Sequence, residues 1–104
     1  MSRIGLYVKF TARPGQRDLL VAQILSAAKL MEAARGCELY IVNTSPTEAD
    51  VAWVTEVWSS HADHEASLSI PGVRETIERT MPLLAGRPER TDTLPVGGKG
   101  LVEA

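Results

Sequence analysis

Gly36-Cys37-Glu38-Leu39-Tyr40 and, sixteen residues after Tyr40, Glu56-Val57-Trp58 are the stretches whose reading decides the fold. Both read as strands. Each sets a large side chain with a polar end among small or apolar neighbours, and a buried Tyr or Trp needs a partner for its O–H or N–H. Such residues often line a pocket in a small domain. Working outward, one strand spans about 37–43 and the next 51–58, with the turn-rich Thr44-Ser45-Pro46-Thr47 between them. Their closeness in sequence predicts antiparallel pairing.

Upstream, Ile4, Leu6, Val8 and Phe10 alternate with Gly5, Tyr7 and Lys9, a period of two that predicts a first strand. Arg13-Pro14-Gly15 breaks it. From Gln16 to about Ala34 the period becomes helical, with Leu20, Ile24, Ala27, Ala28 and Met31 in an apolar stripe and Arg17, Gln23, Lys29 and Glu32 facing away. Gly36 is placed to cap that helix. Downstream, Ser60 with Asp63 three residues later resembles an N-terminal cap for a short helix ending near Ser67. Pro71 suits the first turn of another helix, on which Val73, Ile77, Thr80, Met81 and Leu84 share a face and which Pro82 kinks or ends. Residues 89–96 read as a last strand, and Gly97-Gly98-Lys99-Gly100 begins a tail expected to be flexible over 97–104.

The order β-α-β-β-α-β is the ferredoxin-like pattern, an α+β fold with helices on one face of an antiparallel sheet. The other face must be covered, and a second copy of the chain is the simplest cover, giving a two-fold homodimer. At 104 residues, 44% hydrophobic and 23% charged, the chain reads as one soluble globular domain over residues 1–96 plus the tail. A net charge of −2 and the lack of a basic stripe argue against nucleic acid. No apolar run nears the roughly 20 residues of a bilayer span, and the N-terminus lacks a signal-peptide segment. The single Cys37 excludes an internal disulfide and fits a reducing compartment, so the expected location is cytoplasmic.

Arg13-Pro14-Gly15, Gly36-Cys37-Glu38-Leu39-Tyr40, Glu56-Val57-Trp58-Ser59-Ser60 and Ser69-Ile70-Pro71-Gly72-Val73, in this order and spacing, make the chain resemble the antibiotic biosynthesis monooxygenase domain family. The resemblance covers about residues 3 to 96. It implies a dimeric α+β barrel. It also implies, for the family's oxygenases, action on electron-rich phenolic or polycyclic substrates without metal, flavin or haem. A deprotonated substrate then reduces dioxygen directly. The protein has only to orient the substrate, take a proton, stabilise the anion and exclude water.

The resemblance places Trp58 where anthrone-type members have their pocket tryptophan. Its indole would donate to a substrate oxygen and its ring stack on a flat aromatic; the alternative is core packing. His64 stands where those relatives present a tyrosine, and its ordinary pKa of about 6.5 suits a proton acceptor; the alternative is a solvent-facing imidazole. Glu56 is a general base if burial raises its pKa, or else a partnered carboxylate at a sheet edge or dimer contact. Tyr40 offers its hydroxyl to the pocket or to an interface. Two positions depart from the family. Ser67 replaces a common histidine whose role His64, three residues earlier, could take over, and Val54 replaces an asparagine and cannot bind a substrate oxygen. Val54, Tyr40 and Ser67 are nonetheless expected around the substrate. Cys37 reads as a packed thiol. His61 and His64 have no evident third ligand, so neither metal nor cofactor is expected. Haem-degrading relatives use a first-strand asparagine and a helical histidine, which the first strand and Ser67 do not provide.

The reading that follows is a cofactor-independent monooxygenase for a small quinol or polyphenol, partnered by that substrate and dioxygen. The rival is a non-catalytic dimeric module that binds a small hydrophobic metabolite. The first requires the imidazole of His64 and the indole of Trp58 to meet at a hollow of the size of a small-ligand site, a few hundred Å³.

Overall fold

A computed structural model of the chain describes residues 2–101. Strand β1 (Ile4–Thr11) is followed by helix α1 (Arg17–Leu30), which tightens into a 3₁₀ turn over Met31–Ala33. Strands β2 (Cys37–Thr44) and β3 (Val51–Trp58) come next, then helices α2 (His61–Ser67) and α3 (Val73–Thr80). A second 3₁₀ turn, Met81–Leu83, leads to strand β4 (Glu89–Thr93). The four strands form one antiparallel sheet in the order β2-β3-β1-β4. This is the ferredoxin-like arrangement that the element order predicts.

Alternation along the strands sorts the residues onto two faces. Leu6, Val8, Ala52, Val54 and Trp58 turn to the helices and build the core with Leu20, Ile24, Met31, Val73 and Leu84. Tyr7, Ile41 and Trp53 lie on the opposite face and are exposed at 46%, 46% and 38%. The Lys9 ammonium sits 5.8 Å from the Trp53 ring there. A bulge between Cys37 and Leu39 leaves Glu38 without a partner residue on β3 and lets its carboxylate pair with Arg3 at 2.9 Å.

Two boundaries and one buried face differ from expectation. Strand β4 ends at Thr93, not Val96, because Pro95 has no N–H to continue a ladder with β1. Helix α3 starts after Pro71, with Gly72 as its N-cap. It buries Val73 and Thr76 in place of the expected Val73–Ile77 face, leaving Ile77 and Met81 at 46% and 58% exposure. Thr76 tolerates burial because its hydroxyl donates to the Gly72 carbonyl at 2.8 Å. Of the expected tail over 97–104, residues 102–104 lie outside the described residues, as does Met1.

Gly36 joins α1 to the site. Its φ of 85° is in the left-handed region, its carbonyl accepts from Ser59 N at 2.8 Å, and a side chain there would run into Asp63 and Ser59. Gly15 has a similar φ of 77° but open space around it. Gly36→Ala is expected to cost about 2–3 kcal/mol and Gly15→Ala about 1 kcal/mol. Urea unfolding of both variants checks this; equal losses would refute the steric part.

Candidate active site

Three side chains of the helix-covered face meet at the C-terminal end of β3. Val54, Glu56 and Trp58 point the same way, as strand alternation requires. Ser60 then stops the strand and caps α2: its hydroxyl accepts from Asp63 N at 3.1 Å. The Ser59 hydroxyl donates to the Asp63 carboxylate in the same turn. These two contacts fix the first turn of α2 over the strand end. His64, one turn along, is thereby laid against Trp58.

The Trp58 ring has no solvent exposure. Its Nε1–H donates to Glu56 Oε1 at 2.9 Å, so the indole donor expected to reach a substrate oxygen is already used. The His64 ring stands edge-on to Trp58, with centroids 5.2 Å apart and planes at 69°. Its Nε2 lies 4.0 Å from the same Glu56 Oε1, and its side chain is 15% exposed. The imidazole is therefore packed against the indole and not in bulk water. Its other nitrogen, Nδ1, is buried with no hydrogen-bond partner.

Glu56 is 8% exposed and sits on an interior strand, not at a sheet edge. Burial raises its pKa above the ordinary value, opposed by the Trp58 hydrogen bond and by Arg90. Burial pushes His64 the other way, below its ordinary value, with Arg90 adding to the effect. Burial thus moves the two groups in opposite directions, Glu56 up and His64 down.

The remaining candidates divide. Tyr40 lies directly across from Glu56 on β2. Burial, followed by the Glu56 charge, raises its phenol pKa, so it stays a donor. Cys37 pairs with Trp58 across the strands, and burial followed by Glu56 raises its thiol pKa, as suits a packed thiol. Val54 is sealed in the core at 1% exposure. The Ser67 hydroxyl donates to the His64 carbonyl at 2.6 Å, so it steadies α2. His61 faces outward and pairs with Glu65 at 3.4 Å. Among the described residues no three His, Cys, Asp or Glu side chains gather as a metal-ligand set.

Two features escaped sequence reading. Arg90 on β4 acts on both Glu56 and His64, while Asp92 holds it at 2.7 Å. The alternation Arg90-Thr91-Asp92 on an edge strand was the available signal. The second is the hollow. Trp58 packs against His64, and a cavity of about 170 Å³ between α1, α3 and the sheet is lined by Tyr40 but by neither of those rings. The unburied i, i+4 pair Ile77 and Met81 marks it.

The pair gives a signed expectation for stability. The folded-state pKa of Glu56 lies above 4.5, so its contribution is full below that value and is lost as pH rises through the folded value. His64 has its folded pKa below 6.5, so its contribution is full above that value and is lost as pH falls through the folded value. Glu56→Gln, uncharged at every pH, is expected to gain stability relative to the parent as pH rises from about 4.5 through the raised folded value of Glu56. Urea midpoints across that range check this; a constant difference would refute it.

The sequence profile of the antibiotic biosynthesis monooxygenase family matches residues 3–79. A Chloroflexus aurantiacus crystal structure assigned to that group is 43% identical and superposes with a TM-score of 0.85, covering 93% of this chain and 96% of its own. A Caulobacter crescentus structure with the same assignment is 21% identical at a TM-score of 0.85, with 92% of each chain covered. A Mycobacterium tuberculosis structure is 19% identical at 0.83, covering 94% of this chain and 99% of its own. The last two show the shared fold. No functionally curated protein matches the chain.

Proposed function

Because the chain belongs to the antibiotic biosynthesis monooxygenase family, we propose that it oxygenates a small electron-rich aromatic, a quinol or polyphenol, without a cofactor. The observation that carries this reading is the convergence of Trp58 and His64 on one buried oxygen of Glu56. Such a cluster is built for moving a proton.

The chemistry follows from those positions. Trp58 holds the carboxylate in place. His64 turns Nε2 toward that carboxylate, and its Nδ1 has no hydrogen-bond partner among the described residues. An imidazole lowered by burial gives its proton up readily, and Glu56, raised by burial, takes it. Arg90 supplies positive charge for the phenolate that results. The phenolate then reduces dioxygen directly. For a hydroquinone the balance is quinol plus dioxygen to hydroxyquinone plus water. One oxygen atom enters the ring, the other leaves as water, and the substrate supplies all four electrons.

The proposal includes a homodimer in the cytoplasm. The exposed Tyr7, Ile41 and Trp53 on the bare sheet face support the pairing, and the free Cys37 thiol supports the compartment. Among the described residues no helix is long and apolar enough to cross a membrane. Oxygen uptake by purified protein over a panel of hydroquinones tests the activity. Uptake above a His64→Ala control supports it. Saturable binding with no uptake by any member would leave the non-catalytic metabolite-binding module as the function.

A further inference from the structure

We propose that Asp92 is a positioning residue: it clamps the Arg90 guanidinium on the helix-facing side of β4, so that this positive charge stands beside the Glu56–His64 pair. The inference deepens the oxygenase reading and rests on it only for the effect on rate.

Strand register carries the first part. Arg90 pairs with Val8 and Asp92 with Leu6, and Leu6 in turn pairs with Glu56. Directly opposed residues put their side chains on one face. Leu6 and Val8 belong to the core under the helices, so Arg90 and Asp92 face that side too. Asp92, Leu6 and Glu56 form one row across three strands, with only an aliphatic side chain between two carboxylates. Two strand spacings of about 4.8 Å each separate the ends of that row, a span for an arginine side chain and not for a carboxylate.

The contact carries the second part. Arg90 Nε donates to Asp92 Oδ1 at 2.7 Å, and Nη2 donates to Oδ2 at 3.2 Å. Two such bonds between planar groups fix orientation as well as distance. Among the described residues Nη1 makes no hydrogen bond, so one end of the guanidinium stays open. The two side chains are 41% and 60% exposed. An ion pair that exposed adds little to stability, so the fold does not need it.

The surroundings of His64 carry the third. Glu56 faces it from β3, His61 and Glu65 from its own helix, and Arg90 and Asp92 from β4. After burial, Arg90 has the largest influence on the imidazole and disfavours its protonated form, whereas Asp92 has the smallest of those from α2 and β4. Asp92 therefore acts on His64 chiefly through where it keeps Arg90. The hydrogen bond from Arg90 holds Asp92 below the ordinary carboxylate value, so it stays charged while His64 titrates.

Charges that point inward on an edge strand also blunt edge-to-edge association. That role needs the charges but not their pairing, and a double-mutant cycle separates the two. His61 and His64 are the two histidines of the chain, and His61→Gln assigns their imidazole carbon–proton signals. In the intact protein Arg90→Gln is expected to move the His64 titration midpoint upward, since a positive charge is lost. In Asp92→Asn protein the same change should move it about a third as far or less, because the unclamped guanidinium has gone to bulk water. In quinol turnover Arg90→Gln and Asp92→Asn should each lower kcat about tenfold with little change in KM, and the double variant no further than either, as residues acting as a unit do. Asp92→Glu, which keeps the carboxylate, should restore part of both effects. Equal movement of the His64 midpoint in the two backgrounds, or none in Arg90→Gln, would overturn the proposal and leave the pair as edge protection. Coupled midpoints in a protein that consumes no oxygen would retain the clamp and end the oxygenase reading. Oxygen uptake with uncoupled midpoints would end the clamp and retain the oxygenase.

Discussion

Glu56→Gln is expected to lower quinol-dependent oxygen uptake by a factor of about 10² to 10⁴. Glutamine keeps the shape of the side chain, and its carbonyl oxygen still accepts from the Trp58 indole. Packing at 8% exposure is therefore preserved. What disappears is the capacity to take a proton from His64, whose Nε2 lies 4.0 Å from Glu56 Oε1. The effect should fall on kcat more than on KM, because the change removes a proton acceptor and keeps the shape of the side chain. Steady-state oxygen-electrode kinetics, alongside circular dichroism to verify the fold, decide the matter. A variant as fast as the parent would mean that the carboxylate is only structural.

Trp58→Ala should reduce the free energy of unfolding by about 3–5 kcal/mol. The indole has no solvent exposure and belongs to the main core, beside Val54 and Leu6. Its removal opens a large cavity and also deprives Glu56 of its hydrogen-bond donor. Trp58→Phe separates the two effects. It keeps most of the volume and should cost about 1–3 kcal/mol for the buried carboxylate left without its donor. Against a total stability of about 5–15 kcal/mol for a domain of this kind, the alanine variant comes close to unfolding. Chemical denaturation of both variants measures the losses. Similar values for the two would show that the hydrogen bond, and not the ring, is what matters.

Much of this arrangement was readable in advance because it follows from short-range rules. The alternation from Ile4 to Phe10 sets which side chains face the helices, and the same rule puts Val54, Glu56 and Trp58 on one side of β3. The Ser60 cap, seen in the spacing to Asp63, places His64 over the strand end. The parts that escaped depend on contacts between distant segments. Only the pairing of β1 with both β3 and β4 brings Arg90 near Glu56, thirty-four residues earlier in the chain. Thr76 displaces Ile77 from the interior because its hydroxyl bonds back to Gly72, which a count of apolar residues cannot register. The use of the indole proton within the protein likewise depends on the side-chain conformations of Glu56 and Trp58, not on their spacing.

The pairing of β3 carries a consequence for how such a chain can vary. Its two sides hold unlike chemistry, with Val54, Glu56 and Trp58 turned inward and Trp53, Thr55 and Val57 turned outward. Removing or adding one residue within the strand would swap these sets wholesale, sending the carboxylate and indole out and a threonine in. Descendants of this sequence are thus free to exchange single letters in β3 but not to change its length. Insertions and deletions belong in the connectors, such as Ser45 to Asp50, where they leave the two sides unmixed.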